Sequence, residues 1–261
     1  MEEKILNQFS KILNLFNYRS KNILIVGGTS GIGEHFVNFF FDLNANVIVL
    51  GRNEKKLSQL RKKKIFAIKC DITNEDELEK TIHTLKKKLK TVDIIIFTSG
   101  INIREKFTNL NMDNFKKVVN TNLIAATNFY KKILPLINNK KKRTNIINLT
   151  SILSSRTLPE RTSYSISKAG LLMLTRILAL ELKNFNVIVN SISPGPLLTD
   201  INKPVLKNKK KYIKMCNKIP LRRFGKVEEL ETAILFLSSD KSTYITGSEI
   251  IIDGGWQILW K

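Results

Sequence analysis

The sequence predicts an α/β fold, a single domain with a Rossmann-type, doubly wound, parallel seven-stranded sheet. Two observations carry this prediction: apolar, β-rich segments recur along the 261 residues, and amphipathic segments of helical length separate them. Strands that are apolar on both faces are typical of parallel sheets, because helices cover both faces of such sheets. A chain of this length buries a core of its own as one domain.

Seven segments have the composition of buried strands, and they cover residues 22–26, 46–50, 65–69, 92–97, 145–150, 186–192 and 249–253. Helical periodicity is found in segments 31–43, 74–88, 112–137 and 163–183. In a doubly wound sheet, ligands bind beyond the carboxyl ends of the strands, at the point where the strand order reverses. The residues that directly follow the strands are therefore the candidates for a functional site.

The first 20 residues are predicted to form a helical extension that precedes the domain at residues 21–261. Apolar residues recur in it at helical spacing, namely Ile5, Phe9, Ile12, Leu13 and Phe16. Two early acidic residues and the lack of arginine in residues 1–16 argue against a transit peptide, and no unbroken apolar region suits secretion. The whole sequence contains no apolar run of the length that a membrane span requires. We therefore expect a short packing helix and no membrane partner.

The composition is strongly basic, with 44 Lys and Arg residues against 22 Asp and Glu, a formal net charge of +22. Such a balance raises nucleic acid as a partner. The excess, however, lies in scattered runs at helix ends and loops, and abundant Ile, Asn and Lys are typical of an AT-rich genome. We expect no specific nucleic-acid partner. Two unrelated cysteines and two isolated histidines predict a reducing cytoplasm and no metal site.

A glycine-rich turn, "GGTSGIG", follows the first strand and leads directly into a helix. Glycines permit a tight turn and close approach of the backbone, and a helix N-terminus offers free N–H groups to a pyrophosphate. The first strand and first helix of a βαβ unit are where a dinucleotide binds. The candidate residues are Gly27, Thr29, Ser30, Gly31, Ile32 and Gly33.

The second strand ends in Leu50 and Gly51, followed by Arg52. A site selective for NAD commonly has Asp or Glu there, which binds the ribose 2′-hydroxyl. An arginine instead forms charge-assisted hydrogen bonds with a 2′-phosphate, which a carboxylate would repel. Arg52 therefore favours NADP(H) as the cofactor, with NAD(H) as the alternative, unless it is only a surface arginine that opens a helix.

The third strand is followed by "CDIT", for which the sequence allows two interpretations. Asp71 could accept a hydrogen bond from the adenine amino group while Ile72 packs on the ring. Equally, Asp71, Thr73 and Asn74 are residue types that cap a helix N-terminus. The spacing alone does not choose between them.

The fourth and fifth strands are followed by further polar residues. Ser99 and Gly100 let the backbone approach a cofactor, and Ser151 lies at the end of the fifth strand. In "YSISK", Tyr164 and Lys168 share one helical face, about 6 Å apart along the axis. A cation near a phenol favours the phenolate, so that Tyr164 could act as an acid/base catalyst beside Lys168.

From Lys21 to the C-terminus the chain resembles the short-chain dehydrogenase/reductase family. The resemblance rests on "GGTSGIG", "CDIT", "NTNL", Ser151, "YSISK", "SPGPLLT" and the C-terminal "IPLRRFG" to "DGGW". It implies that Ser151 orients the substrate oxygen, Tyr164 transfers the proton, Lys168 binds the ribose and Asn122 holds a relay water. It also implies cofactor contacts at Pro194, Gly195 and Thr199 and, from helices 112–137 and 163–183, a homotetramer or homodimer. The chain departs from the family at Val26, where threonine is usual, and in "FTSG" at 97–100.

We expect an oxidoreductase that interconverts a secondary alcohol and a ketone. Three arginines in segments that should border the pocket favour a sugar acid, as in gluconate 5-dehydrogenases, since a guanidinium binds a carboxylate. These candidate substrate residues are Arg104, Arg156 and Arg161. The close alternative is a 3-oxoacyl-[acyl-carrier-protein] reductase, whose acidic carrier would be attracted to a basic face. A non-catalytic NADPH-binding sensor is a distant alternative.

Overall fold

The computed structural model describes residues 15–137 and 142–259. Its strands are β1 (Asn22–Val26), β2 (Asn46–Gly51), β3 (Phe66–Lys69), β4 (Ile94–Phe97), β5 (Thr144–Leu149), β6 (Val187–Pro194) and β7 (Glu249–Ile252). They form one sheet in the order β3-β2-β1-β4-β5-β6-β7, and every neighbouring pair is parallel. The predicted Rossmann-type architecture is therefore confirmed.

The helices connect successive strands and cover both faces of the sheet. They are α1 (Gly31–Asp42), α2 (Glu54–Lys62), α3 (Glu75–Lys88), α4 (Met112–Val119), α5 (Ala125–Ile137), α6 (Thr162–Glu181), α7 (Lys203–Leu206), α8 (Lys209–Cys216) and α9 (Glu231–Ser238). Four of them begin at asparagine caps, and among these Asn53 accepts a hydrogen bond from Lys56 N and Asn74 accepts one from Glu77 N. Asn74 is therefore the cap of α3, rather than Asp71 or Thr73.

The continuous apolar character of the strands reflects two cores, one on each face of the sheet. Along β1 and β4 successive side chains alternate between them: Leu24 and Ile95 pack into one core, and Ile25 and Ile96 into the other. Because successive residues of a strand point to opposite faces, a strand covered on both faces must be apolar throughout. All four side chains are fully buried.

The segment 112–137, predicted as one helix, is interrupted by a π-helical turn at Asn120–Ile124. At its centre the Asn122 side chain is fully buried and hydrogen-bonds the backbone of Ile101, accepting from Ile101 N at 2.8 Å and donating to Ile101 O at 2.9 Å. Single π turns within α-helices are frequent at functional sites. Helical periodicity does not register this turn, because the interruption is fixed by contacts with a distant loop.

The sheet positions the candidate site at its carboxyl edge. The chain runs outward from β1 to β3 and then returns to β4 on the other side of β1, so the strand order reverses between β1 and β4. Loops 27–30 and 98–101 therefore face each other across a crevice, as expected for a doubly wound sheet.

The predicted N-terminal helix lies largely outside the described residues, and this includes Ile5, Phe9, Ile12 and Leu13. The described part is tied to α9. The Tyr18 hydroxyl donates to Leu235 O at 2.7 Å, and Ser239 Oγ donates to Leu15 O at 2.6 Å. Within residues 15–137 and 142–259, no helix combines the length and the apolar character that crossing a membrane requires.

Candidate active site

The glycine-rich loop after β1 forms one wall of a cavity of about 240 Å³ at the crevice. The first intrahelical hydrogen bond of α1 runs from Glu34 N to Ser30 O, so the amides of residues 29–33 are free to face a ligand. The loop packs too closely for side chains: a Cβ on Gly33 would lie 2.4 Å from Gly27 O. The free amides and positive dipole end suit a pyrophosphate.

The loop is braced from β4 by a residue that the motifs did not single out. Thr98 donates to Val26 O twice, from its backbone N at 2.9 Å and from Oγ1 at 2.8 Å. Its Oγ1 also lies against Gly33, where a Cβ would come within 2.5 Å of it. Val26 and Thr98 both belong to the two departures from the family pattern. Position 26 lacks the hydroxyl that is usual in the family, and the hydroxyl of Thr98 supplies a hydrogen bond to the same part of the loop.

The end of β2 forms another wall of this cavity. Gly51 cannot accept a side chain without rearrangement, since a Cβ there would lie 2.4 Å from Thr29 Cγ2. Arg52 is exposed, and its Nη1 lies 3.5 Å from Asp71 Oδ2. Burial raises the pKa of Asp71, but hydrogen bonds from Thr73 and the charge of Arg52 outweigh burial and hold that pKa below its usual value. Asp71 is therefore an anion that faces the cavity.

A second cavity, of about 120 Å³, adjoins the first and shares Ile32, Thr199 and Ile201 with it. Ser151, Tyr164 and Arg161 lie on its wall, together with Pro194 and Gly195. Ser151 lies two residues after β5 and caps the following turn, accepting from Leu153 N at 3.2 Å. The Ser151 hydroxyl lies near enough to the Tyr164 phenol to lower the pKa of that phenol. The fold thus gathers these five wall residues, up to 44 positions apart for Ser151 and Gly195, around one small space.

Lys168 and Asn122 lie behind this surface. The buried Lys168 ammonium donates to Leu149 O at 2.7 Å and lies 5.9 Å from the centre of the Tyr164 ring. Asn122 Nδ2 donates to Ser167 Oγ at 2.9 Å, in addition to its two bonds with the Ile101 backbone. The Asn122 amide therefore clamps the π turn to helix α6 and to the loop after β4.

The pKa values of the three groups follow from burial and charge. Burial holds the pKa of Tyr164 above its usual value, and the Ser151 hydroxyl and the charge of Arg161 offset this only in part. Burial lowers the pKa of Lys168 to about 8. Burial and the neighbouring charge of Arg104 lower the pKa of Arg161 to about 10. Arg161 is thus a second cation that acts on the phenol, a role that the sequence did not indicate.

The three candidate substrate arginines separate in the structure. Arg161 is buried on the inner cavity wall, and within the described part of the chain no carboxylate lies within ion-pair distance of it. Arg156 is exposed and lines an outer cavity of about 370 Å³. Arg104 lines neither cavity. Its charge affects the site by lowering the pKa of Arg161.

Most predicted cofactor residues line the first cavity, namely Gly27, Thr29, Ser30, Gly31, Ile32, Gly33, Arg52, Asp71, Ile72, Ser99, Gly100 and Thr199. Sequence reasoning missed Thr98, Ile201, Met215 and the role of Trp256, which lines both substrate cavities. The sequence did contain an indication of Thr98, because "FTSG" departs from the family pattern at that position. It contained none of Ile201 and Met215, because they come from a segment without a motif.

Neither the cysteines nor the histidines form a metal site in the described residues. Cys70 and Cys216 are buried free thiols. Over residues 15–137 and 142–259, no group of three or more His, Cys, Asp and Glu side chains is arranged to hold a metal ion.

A dinucleotide cradle joined to a Ser, Tyr and Lys constellation defines a nucleotide-dependent oxidoreductase of the α/β class. A family model described as enoyl-(acyl carrier protein) reductase matches residues 26–257. The chain belongs to the short-chain dehydrogenase/reductase family, whose members act on CH–OH groups with NAD(P)(H).

Similar proteins carry different activities. The chain is 30% identical over 241 residues to the 3-oxoacyl-[acyl-carrier-protein] reductase of Thermotoga maritima, covering 90% of this chain and 97% of that one. It is 31% identical over 255 residues to an NAD-dependent glycerol dehydrogenase of Listeria innocua, covering 93% and 96%. The crystal structure of a putative gluconate dehydrogenase from Agrobacterium tumefaciens superposes with a TM-score of 0.85 at 26% identity, covering 93% and 98%.

Proposed function

We propose that this protein is an NADP(H)-dependent oxidoreductase that interconverts a secondary alcohol and a ketone on a sugar acid. The observation that carries the substrate class is Arg161. A buried guanidinium on the wall of a cavity of about 120 Å³, beside Ser151 and Tyr164, has no carboxylate partner in the described chain. A buried charge without a partner is costly, so a carboxylate supplied by the substrate would stabilise it.

The residues of the site divide the work. The nicotinamide cofactor, when bound, supplies hydride exchange. Tyr164 then donates or accepts the proton at the substrate oxygen, and Ser151, which lines the same cavity, orients that oxygen. The ammonium of Lys168 and the guanidinium of Arg161 favour the phenolate when the alcohol is oxidised. Asn122 keeps the π turn and the loop at Ile101 in place behind Lys168.

Several features support NADP(H) over NAD(H). The residue that carries a carboxylate in NAD-selective sites is here Gly51, and the Thr29 side chain fills the space that a Cβ would need. Arg52 follows it at the edge of the cavity and offers a guanidinium to a 2′-phosphate. The free, buried thiols suit the reducing cytoplasm, which is where we infer that the enzyme acts.

The test of this proposal is NADPH oxidation with a panel of ketoaldonates, including 5-ketogluconate, against acetoacetyl thioesters and a neutral ketone. We expect Arg161→Gln to raise KM for the ketoaldonate about tenfold or more, as for a lost charge-assisted hydrogen bond of about 1.5–3 kcal/mol. KM for the neutral ketone should not change. Arg156→Gln, in the outer cavity, is the matched control.

The second candidate is a 3-oxoacyl-[acyl-carrier-protein] reductase. Two observations favour it: the similarity to the Thermotoga maritima reductase, and the outer cavity, which shares Ile152, Leu153, Leu158 and Trp256 with the inner one. An elongated acyl chain would fit such a pair of apolar spaces better than a six-carbon acid. A clear preference for the thioester in the panel would establish this candidate and refute the sugar acid.

A further inference from the structure

The segment that walls the mouth of the site is unusually basic. Residues 200–218, called here the lysine-rich segment, contain seven lysines and one acidic residue in 19 positions, whereas the whole chain has 44 Lys and Arg in 261. The lysines are Lys203, Lys207, Lys209, Lys210, Lys211, Lys214 and Lys218. The density of positive charge is thus about twice the average of the chain, which a uniform bias in composition does not explain.

These charges are available to a ligand. All seven lysines are exposed. Within the described residues, Lys203 is the one member with a carboxylate partner, Asp200, at 2.8 Å. Elsewhere acidic side chains pair with lysines, as Glu75 and Glu79 do with Lys132. The lysine-rich segment therefore presents an almost uncompensated positive field.

Helix α8 carries its lysines where they disfavour the helix. Lys209, Lys210 and Lys211 occupy its first turn, which contains no acidic residue. The positive end of the helix dipole lies at the same place, so the two fields add and destabilise the helix. The fold offsets this cost with a small separate core under the segment, formed by Val205, Cys216, Ile219 and Phe224. The positive potential is thus kept at a structured position.

That position borders the cofactor and substrate cavities. Ile201 lines both the nucleotide cavity and the inner substrate cavity, and Met215 lines the latter. Lys218 lines the outer cavity. The ligands in question carry negative charge, since the nucleotide bears a pyrophosphate. The summed charge of the surface around a cleft creates a potential that raises the association rate of oppositely charged ligands.

We propose that the lysine-rich segment is an electrostatic steering surface that draws phosphate-bearing nucleotides and other small anions into the cleft. The lysine-rich segment raises the association rate constant of the ligand. Other residues contact the ligand once it is bound. This inference rests on the proposed function only in requiring that the cleft binds NADPH, and it holds for any anionic substrate.

The experiment measures NADPH association by stopped-flow fluorescence, without turnover. Lys209, Lys210, Lys211 and Lys214 are changed together to Gln. The matched control changes Lys86, Lys87, Lys88 and Lys90 to Gln; these exposed lysines lie at or just beyond the C-terminal end of α3, at the opposite edge of the sheet. Both variants lose four positive charges. Rates are compared at about 20 mM and about 300 mM salt, where the Debye length falls from roughly 20 Å to roughly 6 Å.

We expect the association rate constant of the α8 variant to fall about threefold to tenfold at low salt and to converge with the parent protein at high salt. Its dissociation rate constant should be unchanged, and its thermal midpoint should not fall, because lysines in the first turn disfavour the helix. The control should slow by less than about twofold. Equal slowing of both variants would assign the effect to net charge alone and overturn the inference, as would no slowing of the α8 variant. Absence of NADPH binding to the parent protein would overturn the proposed function as well.

Discussion

At the scale of single residues, two cations of different character flank the phenol of Tyr164. Lys168 lies behind it, buried and bonded to a carbonyl, and its pKa is lowered to about 8. Arg161 lies on the cavity wall, and its pKa of about 10 leaves it charged at neutral pH. The ammonium is therefore the group that titrates within the working range, and the guanidinium is the constant charge.

This difference predicts the pH dependence of the reaction. Because burial lowers the pKa of Lys168, the ammonium is charged below about pH 8 and neutral above it. We expect kcat/KM for ketone reduction, which reports groups of the free enzyme, to fall as pH rises through about 8. Lys168→Arg should move this limb to higher pH, since a guanidinium stays charged.

Steady-state rates between pH 6 and 10 check this prediction. A profile that stays level beyond pH 9 would contradict the assignment of the limb to Lys168. Tyr164→Phe serves as the companion variant: it should abolish turnover at every pH because the phenol supplies the proton. NADPH should still bind, because the glycine-rich loop and Arg52 hold the nucleotide even if Tyr164 also contacts it.

A second prediction at this scale concerns Arg52. If its guanidinium binds a 2′-phosphate, Arg52→Gln removes a charge-assisted hydrogen bond of about 1.5–3 kcal/mol and should weaken NADPH binding about tenfold or more. The affinity for NADH should be unchanged or improved. Lys55→Gln, at an exposed position on α2, is the charge-matched control. Equal losses for NADPH and NADH would contradict selectivity through Arg52.

At the scale of elements, the contact between β1 and β4 holds the nucleotide loop. The Thr98 hydroxyl at the end of β4 donates to Val26 O at the end of β1 and contacts Gly33 in the first turn of α1. One side chain thus joins two strands and a helix at the reversal of strand order. The residue types in "FTSG" differ from the family pattern, but a side chain of this motif still holds the loop after β1.

We expect Thr98→Val to weaken NADPH binding about fivefold, the loss of a hydrogen bond of about 1 kcal/mol, with little change in kcat. Valine keeps the shape and removes the donor, and Thr98→Ser, which keeps the donor, should bind as the parent protein does. Fluorescence titration with NADPH measures the difference. Unchanged binding in the valine variant would show that the loop is held without this hydroxyl.

At the scale of the whole molecule, helix α6 has one face against the sheet and another that the described chain leaves uncovered. Leu171 and Thr175 are fully buried, whereas Ile166, Met173, Ile177 and Leu180 are 49%, 51%, 42% and 68% exposed. An apolar stripe at helical spacing on a surface marks an interface. We therefore predict the homotetramer or homodimer that the family resemblance implies.

Light scattering at micromolar concentration should give a multiple of the chain mass of 29.9 kDa. Met173→Glu together with Ile177→Glu should shift the particle toward the monomer, because charge at an apolar interface is costly to bury. Ser58→Glu, at an exposed position on α2, adds charge elsewhere and should leave the assembly intact. A monomeric parent protein would refute the prediction.

The sequence alone determined the sheet, its strands and the residues that follow them, because a strand buried on both faces must be apolar and a nucleotide loop must be glycine-rich. The structure moved strand ends by one or two residues and left these assignments in place. Local composition is sufficient to predict the strands and the nucleotide loop, because a few consecutive residues define each of them.

The tertiary structure decided what depends on approach between distant segments. It set Arg161 apart from Arg104 and Arg156, made Thr98 a brace, broke the helix at Asn122 and brought the lysine-rich segment to the mouth of the cleft. Sequence spacing records none of these, because burial of a charge and the partner of a hydroxyl are set by whatever the fold packs beside them. The physical reason is that desolvation and hydrogen bonding act over a few ångströms of space, irrespective of separation along the chain.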